Sequence, residues 1–249
     1  VELDDGQQVR APLVISDASA YTTFMDLIDR EVSEKHGYPE RFKRIGPSVA
    51  HLYLLLGYDE WIDLPKQIFW EVPGWDIDPT DRRYKEQMDL SALGAYVLCP
   101  SVRDPSHKQR YPGKSTVVVL AEAPYAWVEK CRENPDFEAK FSADLIETIM
   151  PIVHRVLPVL ADKTPTLQKA GVPMGCNPWA WHSCSLGLDP SAERFTSETH
   201  WLRPQTEIKN LWLTGQDPFS AGFSGAMLGG RLCYSAITGD WLAMLRNKL

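Results

Sequence analysis

The apolar positions of this chain fall into two patterns, short unbroken runs and longer spaced rows, and their order sets the expected architecture. "APLVISDAS" (Ala11–Ser19) is a short apolar run ending in Ser-Asp-Ala-Ser, a buried strand that leads into a helix start. From Tyr21 to Glu34 the residues Phe24, Leu27, Ile28 and Val32 are spaced as on one face of a helix. Four strand candidates follow. They are Ser48–Tyr58, ended by Gly57, then Lys66–Val72, Gly94–Val102 and Lys114–Ala123, the last a β-branched run preceded by Pro112–Gly113. No good helical pattern separates them, so an antiparallel sheet is expected, because parallel neighbours need long crossovers. A helical block comes next, Pro124–Arg132 and Phe137–Leu160. In the second helix Phe141, Leu145, Ile149 and Val153 form one face that either covers the sheet or serves as a membrane-surface or ligand-entry helix, and Pro151 and Pro158 are expected to bend or divide it. Gly171–Arg194 reads as an aromatic loop, Ile208–Gly215 as one more strand, and Gly222 to about Arg246 as a helix with basic residues near its end.

Both ends thus read as α/β, and the middle as an antiparallel sheet with helices. The order is explained by one domain built from residues 1–20 and 203–249, with a second domain, 21–202, inserted into it. Prolines near these joints, Pro12, Pro47 and Pro204, agree with such boundaries.

Composition narrows the function. The net charge is −7 and no Lys/Arg run occurs, so no nucleic-acid partner is expected. No apolar run approaches the ~18 residues of a membrane span. The five cysteines (Cys99, Cys131, Cys176, Cys184 and Cys233) are widely spaced, and the six histidines show no ligand spacing. Buried free thiols and no metal site are therefore expected. The opening residues Val1–Leu3 and Gln8–Arg10 flank Asp5–Gly6, a hairpin turn signal. A chain that opens without Met inside a hairpin reads as the C-terminal part of a longer protein.

The richest stretch chemically is "LTGQDPFSAGFSGAMLGG" (Leu213–Gly230), with five of the chain's 16 glycines between a strand and a helix. Gly222-Phe223-Ser224-Gly225 approaches the nucleophile elbow G-x-S-x-G. The fifth position is Ala226, however, and no histidine follows His200, so a serine hydrolase is not expected. The other chemistry is a grip at a helix N-terminus, where free N–H groups attract negative charge and small residues admit a ligand. Gly225 and Gly229 lie four apart on one helix face, which Ala226 and Gly230 extend. Each interior glycine costs about 1 kcal/mol relative to alanine, so a neighbouring strand or a flat ligand must approach that face closely. Asp217 either accepts hydrogen bonds from sugar hydroxyls or caps a turn.

"LRPQTEIKNLWLTGQDPFSAGFSGAMLGGRLCYSAITG" (Leu202–Gly239) resembles the C-terminal signature of flavin-dependent phytoene-desaturase-like oxidoreductases, which include carotenoid desaturases, carotenoid isomerases and retinol saturases. "APLVISDAS" is similar to the segment that returns that family's chain to its FAD domain. "YVLCPSVRDPSHKQRYPGKSTVVVLAEAPYAWVEK" (Tyr96–Lys130) is most similar to retinol-saturase-type members. The resemblance covers most of the chain and is loose between Ala161 and Phe195.

The resemblance implies an α/β plus α+β fold. Part of a Rossmann-like FAD-binding domain would come from both chain ends, with the antiparallel-sheet substrate domain inserted and covered by helices. Gly215, Gln216 and Asp217 would meet the ribityl–pyrophosphate region of FAD. Gly222, Phe223, Ser224, Gly225 and Ala226 would line the flavin ring. The family's ADP-binding G-x-G-x-x-G occurs nowhere in these residues. The resemblance therefore implies a missing N-terminal FAD-binding segment, and a chain that alone neither holds FAD tightly nor turns over. The implied substrate is an apolar conjugated polyene, a retinoid or carotenoid, undergoing saturation, desaturation or isomerisation. Peripheral membrane association, in an organelle such as the endoplasmic reticulum or a plastid, is a further implication. The flavin carries that chemistry, so few protein acids or bases are required. His182 in "NPWAWHSCS" is the one polar catalytic candidate, beside Trp179 and Trp181, which could stack on a polyene; Pro218 and Phe219 are the other substrate-contact candidates. "QIFWEVPGWDID" (Gln67–Asp78) either lines an apolar pocket or packs in the core. Two alternatives stay open: another flavin enzyme of the amine-oxidase type, and a non-catalytic apolar-ligand-binding remnant.

Overall fold

Asp5 and Gly6 make the expected turn: Gly6 takes a left-handed φ of 79°, and Glu2 bridges antiparallel to Gln8. The structure, a computed structural model, describes residues 1–171 and 184–241. Strand β1 (Val14–Ser16) leads to Ser19, whose hydroxyl accepts the Thr22 amide and caps α1 (Ala20–Thr22). That helix runs on as a single wide turn, Thr23–Leu27, and stops where Ile28 becomes extended. Two further helices follow, α2 (Arg30–Lys35) and α3 (Tyr38–Arg44), the latter entered through left-handed Gly37. The one helix expected over Tyr21–Glu34 is therefore divided. The division allows Phe24 and Tyr38 to stack with their centroids 4.0 Å apart, in a cluster with Phe42, Ile45, Leu188, Trp201, Leu202 and Leu213.

That cluster explains the first of two compact units, residues 1–48 with 177–249; the second unit is 49–176. The units divide at 48/49 and 176/177 rather than at 20/21 and 202/203, because the aromatic residues of 21–48 pack with the C-terminal part of the chain.

The second unit holds β2 (Ala50–Tyr58), β3 (Phe69–Glu71), α4 (Ile77–Gln87), β4 (Ala95–Leu98), α5 (Pro100–Arg103), α6 (His107–Arg110), β5 (Ser115–Ala123), α7 (Tyr125–Glu133), α8 (Pro135–Val156) and β6 (Leu167–Gly171). Its sheet has the order β3-β4-β5-β2-β6 and is antiparallel throughout, as expected, although the helices α4, α5 and α6 lie between its strands in sequence. Register sets Leu52 opposite Ala121, Leu54 opposite Val119 and Leu56 opposite Val117, all on one fully buried face. Phe141, Leu145, Ile149 and Val153 of α8 belong to the same core. The opposite face, with Tyr53, Leu55, Val118 and Leu120, is only half-buried.

Four elements here were not expected: β6 and the helices α4, α5 and α6, of which α5 occupies the end of the strand expected over Gly94–Val102, because Pro100 opens a helical turn there. Helix α4 is polar around most of its circumference, with Tyr84 its one fully buried residue, and β6 is an edge strand whose Leu167, Gln168 and Lys169 are exposed. Pro151 does not divide α8. The helix is continuous to Val156 because the packed residues on either side of the proline, Ile149, Ile152 and Val153, hold it against the core.

The chain then returns to the first unit through single turns at Ala192–Phe195 and Ser197–Thr199. Strand β7 (Leu211–Leu213) pairs parallel with β1, Val14 opposite Leu211 and Ser16 opposite Leu213. Helix α9 (Gly222–Thr238) ends at left-handed Gly239, earlier than the Arg246 expected, because that glycine closes it with an N–H bond to the Ser235 carbonyl. This two-stranded parallel pair with its helices is what the described residues display of the α/β arrangement expected from the two ends. Among the described residues no helix is long and apolar enough to cross a membrane. Cys99, Cys131, Cys184 and Cys233 are buried, and burial pushes the Cys99 thiol up to about 11. Cys176 lies outside the described residues.

Candidate functional site

The glycine-rich segment is held by backbone against backbone. After β7 the chain turns at Gly215, with φ 86°, where a Cβ would lie 2.5 Å from Asp17 Oδ1 at the end of β1. It then folds back so that α9 lies on its own approach loop. A Cβ on Gly225 would stand 1.9 Å from the Ser220 carbonyl oxygen, and one on Gly229 would stand 1.9 Å from the Gly215 carbonyl oxygen. For these two glycines the close neighbour is therefore the loop and strand end. Gly222 differs. It takes φ 82°, has open space where its Cβ would be, and donates its N–H to Gln216 Oε1 at 3.0 Å.

Asp217 is the centre of a buried polar knot. It is 4% exposed; its Oδ2 accepts the Ala20 amide at 2.7 Å and its Oδ1 the Leu188 amide at 3.1 Å. Gly187 must be glycine at this point, because a Cβ there would lie 2.2 Å from Asp217 Oδ1. Arg194, equally buried, donates to the carbonyls of Leu188 at 2.7 Å, Gln216 at 2.9 Å and Asp217 at 2.8 Å. Burial raises the Asp217 carboxyl above its ordinary range, while the two amides and the Arg194 charge pull it back. Burial likewise lowers Arg194, opposed by the charges of Asp217 and Asp189. The knot joins the start of α1, the 187–188 turn and the 216–217 loop, and each buried polar group in it has partners.

Two hollows flank this loop. One, of about 300 Å³, is lined by Asp17, Ser19, Ser185, Gly187, Gly215, Gln216, Asp217, Gly222, Phe223 and Ala226. Helix α9 begins beside it, with Ala221 at its cap position providing no side-chain bond and no acidic residue in the first turn. The other, of about 680 Å³, is lined by Arg194, Phe195, His200, Arg203, Pro218, Phe219 and Trp241, and Asp217 touches it too.

Six of the eight cofactor candidates, Gly215, Gln216, Asp217, Gly222, Phe223 and Ala226, thus share the smaller hollow. Ser224 is exposed outside it and Gly225 is buried against Ser220. The substrate candidates Pro218 and Phe219 face the larger one. His182, Trp179 and Trp181 lie outside the described residues. Sequence reasoning missed Asp17 and Ser19, whose Ser-Asp-Ala-Ser was read only as a helix start. It also missed Gly187 and Arg194, which sit in a loop with no periodicity to mark them. Among the described residues no group of three or more His, Cys, Asp or Glu could hold a metal ion.

No family model matches the chain. Among curated proteins it is 30% identical over 244 residues to the Danio rerio protein named all-trans-retinol 13,14-reductase, and 28% identical over 247 residues to the Homo sapiens protein of that name. Each alignment covers 92% of this chain and 40% of the relative. A second Danio rerio protein, named inactive all-trans-retinol 13,14-reductase, is 26% identical over 251 residues, covering 94% of this chain and 41% of its own length. The chain therefore spans about two-fifths of the length of these curated relatives. Its resemblance to retinol-saturase-type oxidoreductases is thereby upheld, and by sequence it is a homologue of the all-trans-retinol 13,14-reductases over 92% of its own residues.

Proposed function

We propose that this chain forms the flavin-facing part of an FAD-dependent oxidoreductase whose substrate is a retinoid or a closely similar apolar polyene. The observation that supports this reading is the lining of the smaller hollow. Gly222 offers bare backbone with open space beside it, and Asp17, Ser19 and Thr214 offer groups that accept hydrogen bonds from a polyol. The start of a 17-residue helix lies alongside without a side-chain cap. Polyol hydroxyls suit the first two sets, and an electron-rich ring edge suits the helix start. These residues fit a flavin nucleotide. When bound, it would supply the hydride-transfer chemistry that no amino-acid side chain provides.

The chain's own residues then have limited tasks. Gln216 fixes the loop by accepting the Gly222 amide. Asp217 and Arg194 hold that loop to α1 and to the 187–188 turn, so Asp217 acts on the cofactor by positioning backbone more than by direct contact. Phe223, 86% exposed at the rim, presents an apolar surface beside the site. The test is to purify the protein encoded by the gene that carries this sequence and to record its visible absorbance before and after incubation with FAD. Bound flavin is expected; no flavin bands in either sample would refute the reading.

One specific observation favours a second reading. A relative of nearly the same similarity is named inactive, so similarity at this level does not separate turnover from binding alone. Chemically reduced holoprotein mixed with all-trans-retinol decides between them. Loss of the retinol absorbance with reoxidation of the flavin supports the enzyme, and retained flavin with unchanged retinol supports the binding protein.

A further inference from the structure

The second unit holds a pocket that the flavin reading does not use. It has a volume of about 330 Å³ and lies between β3, β4 and the start of α4. Register places Trp70 opposite Tyr96 on the half-buried sheet face, and their rings meet edge to face with centroids 4.6 Å apart. Ile77 and Tyr84 of α4 form the facing wall, and Val72 the rim. Gly94 also lines the pocket, with the Glu71 carbonyl and Pro73 as its nearest neighbours.

Trp70, Val72 and Ile77 are 74%, 60% and 60% exposed, and all three line this one pocket. Large apolar side chains left open together mark a surface that something apolar covers. The polar end is Glu122. Its carboxylate has Lys85 at 3.5 Å, and Lys85 is shared with Asp81 at 3.1 Å. A carboxylate has about four acceptor sites, so Glu122 keeps capacity for a donor. Glu71, Asp81 and Glu122 all line the pocket and disfavour an anionic ligand there.

We propose that this pocket binds a flat apolar ring bearing a hydroxyl group, with the ring against Trp70 and Tyr96 and the hydroxyl donating to Glu122. The aromatic walls give affinity through ring contacts, and the Glu122 acceptor selects alcohols and phenols over ethers. The site is independent of flavin, so it stands or falls apart from the oxidoreductase reading.

Isothermal titration of the whole chain with 2-naphthol and with 2-methoxynaphthalene tests it. The naphthol should bind about tenfold more tightly than the ether, which cannot donate. Trp70→Ala should weaken naphthol binding about tenfold, as expected for loss of the ring contact with the ligand. Glu122→Leu should remove the preference for naphthol over the ether. Trp75→Ala should change nothing, since Trp75 is fully exposed on the same loop and lies outside the pocket. Each variant is first matched to the wild type in circular dichroism, and Ile77→Ala replaces Trp70→Ala if the latter fails that check. Absence of naphthol binding, equal binding of the ether to the wild type, or an equal loss in Trp75→Ala would overturn the proposal.

Discussion

Gly229 and Gly230 are chain neighbours in one helix, and their surroundings predict opposite outcomes for the same substitution. Alanine is the better helix former by about 1 kcal/mol at either position. At Gly230 the added methyl would meet Thr214 Oγ1 at 3.6 Å, an ordinary contact, so Gly230→Ala should stabilise by about 0.5–1 kcal/mol. At Gly229 it would meet a backbone oxygen at 1.9 Å, and the helix or the strand end would have to move. Gly229→Ala should cost about 3 kcal/mol despite its better propensity. Urea denaturation of the two variants checks both, and equal shifts would remove the close approach as the reason for Gly229. A second residue-scale expectation concerns Glu207. A hydrogen bond from Arg41 is the main cause that holds its carboxyl below the usual carboxylate range, with burial opposing and His36 adding a smaller lowering effect. A carboxyl lowered in the folded state stabilises the fold above its ordinary pKa and loses that contribution as pH falls through the lowered folded value. Glu207 is partly exposed, so the contribution is screened and under about 1 kcal/mol. The stability gap between wild type and Glu207→Gln should thus be present at pH 7 and shrink as the pH falls below the usual carboxylate range. A gap that widens on acidification would contradict the assignment.

At the scale of elements, α8 is the helix on which the second core depends most, and its first turn has an identifiable support. Asn134 accepts the Phe137 amide at 3.0 Å, Pro135 occupies the first helical position, and Asp136 and Glu138 follow in the first turn. Asn134→Ala should cost about 1 kcal/mol, seen as a lower urea midpoint with an unchanged slope. An unchanged midpoint would mean that packing alone fixes the start of the helix. The same helix illustrates what the sequence could convey. Its buried face was legible because Phe141, Leu145, Ile149 and Val153 keep a helical spacing, and β2 and β5 were legible as apolar runs bounded by turns. Pro151 does not divide the helix, because burial on both sides of it holds the turn together, whereas the helix does end before Pro158. Helix α4 escaped notice because "IDPTDRRYKEQ" carries little apolar periodicity, and its one buried residue, Tyr84, gains its place by donating to the Glu122 carbonyl across the unit. The candidate site was legible in its glycines and in Asp217. The reasons for Gly225 and Gly229 were not legible, since the carbonyls that exclude a side chain become neighbours only when the loop folds back.

The whole molecule combines a discontinuous unit with a continuous one, and this contrast governs how each can fold. The first unit needs both ends of the chain. β1 pairs with β7 across nearly two hundred residues, and Phe24, Tyr38 and Phe42 pack with Leu188, Trp201 and Leu202. A two-stranded sheet is marginal by itself, so neither end should fold without the other. Residues 49–176, by contrast, contain every strand of the five-stranded sheet and the helices α7 and α8 that share its core. Their core runs from Ala50 to Leu160 and includes thirteen large aliphatic or aromatic side chains from β2, β5, α7 and α8 alone: Leu52, Leu54, Leu56, Tyr58, Val117, Val119, Trp127, Val128, Phe141, Leu145, Ile149, Ile152 and Val153. Fully burying a side chain of this kind contributes about 1.5–3 kcal/mol, and no member of the set comes from outside the unit. Residues 49–176 expressed alone should therefore fold, showing one cooperative urea transition and dispersed amide resonances, whereas 1–48 alone should be unfolded. The 330 Å³ pocket lies wholly within that segment, so the isolated unit should also bind 2-naphthol as the whole chain does. If 49–176 is unfolded or aggregates, its core depends on contacts with the first unit, and the continuous unit is not an independent one.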